Sequence, residues 1–598
     1  MDRERLFKIL FGILIVLLLL LLFKFRPSIQ GPKKLEKPAV EEGKALLSAK
    51  GYKYEVKEKN TLKYTVIADE VLESGTHKKE LKGVQALIPR GEDGFDKIVS
   101  QKGLFNESSN ELRIFDDAKI FLKEGTTILS DAFRITQQAE ILSEGEANFS
   151  KEKMNGTADI LRYDKEKRTV YMEGNVNIHS EDLSFLSKRI MVDLENHNGK
   201  IEGPITAIKN DFKISSPDGV IFLNEKNKLK SIELNEPVKG ETASLFFSSN
   251  KAEFIFDDKG DCTRTDLDEN VELKSKSDAT SKMLTDKLII TKIAKDLSGW
   301  NAPHPLKLTK KDFIIDAISG SGNFKSDSVT GTLKGPIRGY NENTEISSTS
   351  AEIREDAIDF IGNAEAVQNK NSIMGEKIIS MKNGDYYCVG NVKGRNENDK
   401  GEVINFECDE ATVAKRRYPT ILKGNCKIFE SNFILKSHQF TMVDENSLTG
   451  CNGVDGEFTF DKGKVFVHGM EMTYKKDKGV CLFKQNPYAT NGSDKLQSNE
   501  IISVYMDKEN KIEKIVAEGK AIYEGENLTV KGEIITYKPK TKEGEVFSEI
   551  GISEARQKNP FRTVTNKTIQ FREKEIVAKG LENMNSRGRI EGEEEKKR

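Results

Sequence analysis

The octapeptide Tyr171-Met172-Glu173-Gly174-Asn175-Val176-Asn177-Ile178 decides how the rest of the chain is read. Val170, Met172, Val176 and Ile178 fall on one face, and Thr169, Tyr171, Glu173, Asn175 and Asn177 on the other. A period of two is that of a β-strand with one buried face, and it gives Gly174 an inward position. The same word returns as Phe360-Ile361-Gly362-Asn363-Ala364-Glu365-Ala366, Cys388-Val389-Gly390-Asn391-Val392, Leu422-Lys423-Gly424-Asn425-Cys426-Lys427-Ile428 and Ala517-Glu518-Gly519-Lys520-Ala521-Ile522-Tyr523. Looser copies sit at Gly145, Gly203, Gly240, Gly299, Gly335, Gly453, Gly551 and Gly580, so that most steps are about 27 to 37 residues. The two wide steps hold degenerate copies at Glu269-Asn270-Val271 and Gln485-Asn486, and Gly83 and Asp117 extend the series backwards. A period near thirty with strand alternation marks a β array in which each unit completes its core only against its neighbours.

Composition agrees with such an array. A chain of 598 residues with 36% hydrophobic and 32% charged residues is too long for one core and too polar for a large compact one. The 94 basic and 96 acidic side chains nearly cancel, which is not the basic footprint of a nucleic-acid binder. None of the six cysteines forms a CxxC pair, which argues against zinc or thioredoxin-like chemistry. Cys388 and Cys426 occupy inward strand positions, where cysteine acts as a small hydrophobe, and the sequence assigns no bridge.

The apolar segment 6–25, preceded by Arg3 and Arg5 and followed by Lys24-Phe25-Arg26-Pro27, is long enough for one bilayer crossing and lacks a small-residue cleavage site. It reads as an uncleaved signal anchor with residues 1–5 cytoplasmic. Residues 26–58 read as a linker, with one short helix over Glu41–Lys50, and β pattern starts at Lys63. Short strands broken by Gly, Asn, Asp and Lys every 8 to 12 residues predict an antiparallel meander rather than βαβ units. Residues 586–598 form a charged tail expected to be disordered.

An N-terminal anchor followed by Tyr64 to Asp69, Gly83-Val84, Ile98-Val99-Ser100 with Gly103, and a strand near Leu112 resembles LptC, the anchored component of the lipopolysaccharide transport bridge. The unit from Ala158-Asp159-Ile160 to Gly174-Asn175-Val176, and again Ile512 to Tyr537, resembles the OstA-like repeat of LptA and of the periplasmic part of LptD. The resemblance implies an all-β, elongated antiparallel β-jellyroll or β-taco array behind one transmembrane helix. An LptC-like domain would span 59–150 and OstA-like repeats 151–585. It also implies stacking of such units into a slide for lipid. The chain departs from the family by being several times longer than the usual anchored member.

Catalytic motifs are missing: there is no GxxxxGK[ST], HExxH or GxSxG, and the six histidines are scattered. The sequence therefore reads as a non-enzyme without metal or cofactor. What remains is the inward face of the best repeats: Met172, Val176 and Ile178; Phe360, Ala364 and Ala366; Leu422, Cys426 and Ile428; Ala517, Ala521 and Tyr523. Glycine, alanine and cysteine at inward positions leave volume that a closed core would fill, which favours a lipid groove. The expected function is a periplasmic bridge component, anchored in the inner membrane, that passes lipopolysaccharide or a related glycolipid toward the outer membrane. With no nucleotide motif in the chain, an inner-membrane ABC transporter would supply the work. LptA-like or LptD-like proteins would join by strand addition at the open edges. Two alternatives stand beside this: an anchored structural or adhesive β-solenoid without ligand, and a polysaccharide-acting β-helix, for which no carboxylate cluster is evident.

Overall fold

A computed structural model describes residues 47–579, apart from breaks at 74–76, 91–93, 123–124, 152–153, 181–182, 210–211, 226–227, 278–279, 295–296, 311–312, 326–327, 382, 398–400, 402, 415–417, 462, 560 and 573–574. The expected anchor at 6–25 and the charged tail at 586–598 lie outside the described residues. Among the described residues no helix is long and apolar enough to cross a membrane, and the helical structure consists of one 3-10 turn, Lys476–Lys478. Everything else regular is antiparallel strand, as the alternation predicts. The chain divides into two units, Met1–Ala243 with Asn250–Thr263, and Ser244–Ser249 with Arg264–Arg598.

In the first unit, Leu47–Glu58, Thr61–Glu73, Lys78–Pro89, Phe95–Asn106, Glu111–Phe121 and Thr127–Ile135 pair each with the next. Leu47–Glu58 falls in the stretch read as linker. Its start replaces the C-terminal part of the short helix expected over Glu41–Lys50 with strand, because Leu47 to Lys50 find partners in Glu70 to Glu73. In the second unit an uninterrupted meander runs from Ser328–Tyr340 to Gly463–Lys475.

The repeated word is a corner. Thr169–Ser180 pairs with Leu183–Asp193 in one register up to Glu173↔Arg189 and in a shifted one from Val176↔Ser187. Gly174 and Asn175 are the bulge, both left-handed at φ +71° and +42°. An extra residue inserted in one strand bends it and increases its twist. On the other flank the partner is broken in two at the same level: Met154–Ala158 pairs with the second half of the strand and Ile160–Asp164 with the first. Each long strand thus contributes to two facing sheets folded along a line of corners. A Cβ on Gly174 would stand 2.4 Å from Asp159 Oδ2, and the same carboxylate accepts the Asn175 amide at 2.9 Å. Glycine and asparagine are chosen here by the left-handed backbone and by that packing.

Gly174 was expected to point inward; it sits on the bulge instead, and parity is kept because Met172 and Val176 still share the inner face. The same one-residue register shift recurs at Gly203, Gly335, Gly362-Asn363, Gly390-Asn391, Gly424-Asn425, Asn452-Gly453 and Gly519-Lys520. Asp116-Asp117 and Glu269-Asn270 follow the same rule without glycine. Gly240 and Gly299, two of the looser copies, lie in straight ladder instead.

Candidate functional site

The inner faces of the bent sheets carry the residues singled out from sequence. Met172, Val176, Phe360, Ala364, Ala366, Leu422, Cys426, Ile428, Ala517, Ala521 and Tyr523 are all buried, and Ile178 is half-buried. They lie in two groups, with Met172, Val176 and Ile178 in the first unit and the rest in the second.

The expectation of unfilled volume fails where it can be checked. Gly362, Gly390, Gly424 and Gly519 are bulge residues whose Cβ directions run into Thr349, Glu376, Asp409 and Glu500 rather than into an empty interior. Glycines that do face inward lie beneath rings: Gly339 against Phe313 and Phe360, Gly394 against Phe406, Gly456 against Phe458 and Phe483. A ring from the same or a nearby strand occupies the space the missing side chain leaves. Phe313 and Phe360 stand 5.7 Å apart, and Phe433, Phe458, Tyr474 and Phe483 form a chain of ring contacts at 5.3 to 6.1 Å.

Sequence reasoning missed the serines of the corner. A bulge frees a carbonyl from the ladder, and a buried orphan carbonyl is costly. Ser187 Oγ donates to Glu202 O at 3.1 Å, beside the Gly203 bulge. Ser437 Oγ donates to Cys451 O at 2.7 Å, beside Asn452-Gly453. Ser498 Oγ donates to Gly519 O at 3.0 Å. The signal was present as a serine at an inward position, where a hydrophobe is expected.

Because each strand bends at its middle, its two ends turn toward each other, and the hairpin turns form two lips over the interior. Polar contacts between residues far apart in sequence join the lips. In the first unit Arg90 Nε pairs with the buried Asp96 at 2.6 Å and its Nη2 reaches Tyr163 Oη at 3.4 Å. Lys63 pairs with Glu166, and Lys209 with Asp261 at 3.4 Å. In the second unit Asn341 Nδ2 donates to Tyr386 Oη at 3.2 Å. Asn432 Nδ2 donates to Glu509 O at 2.5 Å, Lys540 pairs with Asp461 at 2.5 Å, and the buried Lys476 and Glu430 lie 3.5 Å apart. Tyr537 Oη donates to Asp494 Oδ2 at 2.7 Å, and burial, then this carboxylate, push the phenol well above its usual pKa. A cleft of about 530 Å³ opens at the lips of the second unit, lined by Lys310, Phe313, Thr344, Ile358, Met381 and Tyr386 among others.

Among the described residues no group of three or more His, Cys, Asp or Glu side chains is placed to hold a metal ion. The arrangement as a whole is an apolar interior closed by polar lips.

Comparison with curated proteins returns no match. Among solved structures the chain is similar to LptH, the LptA-homologous periplasmic component of the lipopolysaccharide transport device of Pseudomonas aeruginosa. The identity is 14% over 20% of this chain and 85% of that one, with a TM-score of 0.18. The model of the LptA/LptD N-terminal domain, a lipopolysaccharide transport protein family, matches residues 97–198 and 466–578. The first match begins inside the segment expected to resemble LptC and is of the LptA/LptD kind. These two segments, one in each unit and together well under half of the chain, are similar to the LptA/LptD N-terminal domain of lipopolysaccharide transport proteins.

Proposed function

We propose that this chain is a periplasmic component of a lipopolysaccharide transport bridge, held in the inner membrane by residues 6–25 and carrying lipid along its inner face. The observation that carries the reading is the family match at both ends of the array, 97–198 and 466–578, each including one of the strongest corner words, Gly174 and Gly519. The apolar inner face suits acyl chains, which gain about 0.8 kcal/mol per buried CH₂. With the interior occupied by side chains, lipid enters by parting the lips and displacing rings. That work comes from outside the chain, and an inner-membrane ABC transporter is the partner assigned to it. LptA-like or LptD-like partners would add strands at the array's edges, where backbone groups template pairing. No catalytic step is assigned to the chain.

The test is photo-crosslinking in cells from Val176, Ile178 and Ile428, with the exposed Lys188 and Lys423 as outward controls. Lipopolysaccharide adducts on the three inward sites alone support the proposal. A second reading, an anchored rod without ligand, is favoured by the ring-filled interior between Phe433 and Phe483. Adducts at none of the sites, or equally at the controls, would replace transport with that rod.

A further inference from the structure

The corner series carries a thiol at one place. On the unbulged strands the buried corner residue between two flanking bulges is Ser187, Ser348 or Ser437, and on Asn371–Met381 it is Gly375. On Val403–Val413 the same place is taken by Cys408, flanked by buried Phe406 and Ala411 as Ser437 is by Leu435 and Phe440. Ser437 stands opposite Cys426 on one side and Val454 on the other. Cys408 stands opposite Val392, and on its other side the register Glu407↔Lys427 brings Cys426 against it one position further on.

We propose that Cys408 and Cys426 are a redox-closable pair, a cross-strand disulfide site built into this corner. Directly opposed residues on antiparallel strands have Cα atoms about 4.5–5.5 Å apart, inside the range a disulfide spans. Both thiols are buried, and Cys426 Sγ donates to Gly424 O and His438 O at 3.5 Å. The neighbouring Cys426, then burial, holds the Cys408 thiol far above its usual pKa; Cys408 in turn draws Cys426 down against burial. Cys426, the thiol drawn down, is the attacking sulfur. Its thiolate attacks the disulfide of a thiol oxidoreductase, breaking that S–S bond and releasing one thiolate. Cys408 then loses its proton, attacks Cys426 Sγ and releases the second. Two electrons pass to the oxidant, and the two thiol protons end on its two sulfurs. The burial of both residues places closure before the sheets fold over the pair, or in a locally opened corner.

The inference stands on strand register and thiol chemistry and needs no lipid, so it fails or succeeds independently of the transport reading. The full chain is reduced, refolded with oxidised glutathione, denatured in an alkylating reagent and peptide-mapped. The expected result is a loss of two titratable thiols of the six and a linked peptide pair containing Cys408 and Cys426, with Cys451 alkylated. Cys408→Ser, which restores the corner hydroxyl found at Ser187 and Ser437, should fold and leave Cys426 alkylatable after denaturation. Full alkylation of both thiols in the oxidised wild type, or a link from either to Cys388, would overturn the assignment.

Discussion

Two stretches built on the same corner differ in how they close. In Thr169–Leu223 of the first unit the inner residues nearest the lips, Ile178, Val192, Ala207 and Ile221, are half-buried, and the joining ion pair, Lys209 with Asp261, is partly exposed. In Ser447–Lys538 of the second unit the equivalent places are Leu448, Phe458, Tyr474, Tyr523 and Tyr537, all buried. There Glu430 and Lys476, both nearly inaccessible at 4% and 6%, join the lips. The two stretches share the bulged corner, though the first is built of unbroken strands and the second includes short ones. They also differ in side-chain volume next to the lips, aliphatic in one and, Leu448 apart, aromatic in the other. Closure thus follows what fills the last inward position. A lipid would find the lower barrier in the aliphatic stretch.

Phe458→Ala gives the largest expected effect, about 3–5 kcal/mol of stability read from the denaturant midpoint. Ile178→Ala should cost about 1 kcal/mol, since its partial exposure already discounts the burial. Equal losses would erase the distinction between the stretches. Removing lip cations sharpens it. Lys476→Met leaves Glu430 buried without its cation and should cost about 3 kcal/mol, whereas Lys209→Met, with both partners partly solvated, should cost less than about 1 kcal/mol. Calorimetry of the two variants side by side decides the point.

The corner itself should be equally demanding elsewhere in the array. Gly424→Ala forces a side chain into a left-handed position 2.4 Å from Asp409 Oδ2 and should cost about 1–3 kcal/mol. Part of the loss should return in an Asp409→Ala background, and an unchanged loss would leave backbone strain as the sole cause. The last test is a titration. Burial pushes the Cys388 thiol from 9.0 up to about 12. A folded-state pKa above the unfolded one gives stability that is complete below about pH 9 and is lost as pH rises toward about 12. Cys388→Ala should flatten that alkaline limb, measured as the unfolding midpoint against pH.

Much of this architecture is written locally. Alternation in Tyr171–Ile178 identifies the strand and its inner face, and the pairs Gly174-Asn175 and Gly424-Asn425 mark the corners because only a few residue types accept two consecutive left-handed conformations. Degenerate corners such as Glu269-Asn270 were found by spacing alone. What misled was the assignment of Gly174 to the inner face, since a period-two pattern does not register a bulge that preserves parity. The serines at 187 and 437 were passed over because an inward hydroxyl has meaning only once the neighbouring strand's freed carbonyl is known.

By itself the sequence determined that this protein is an antiparallel array of short strands with a greasy inner face, because strand periodicity depends on residues a few positions apart. Only the tertiary structure decided that aromatic rings occupy the places left by inward glycines, that Glu430 meets Lys476, and that Cys408 faces Cys426. Those meetings depend on register shifts summed over successive bulges and on which turns the folded sheets bring together, and no local pattern carries that sum.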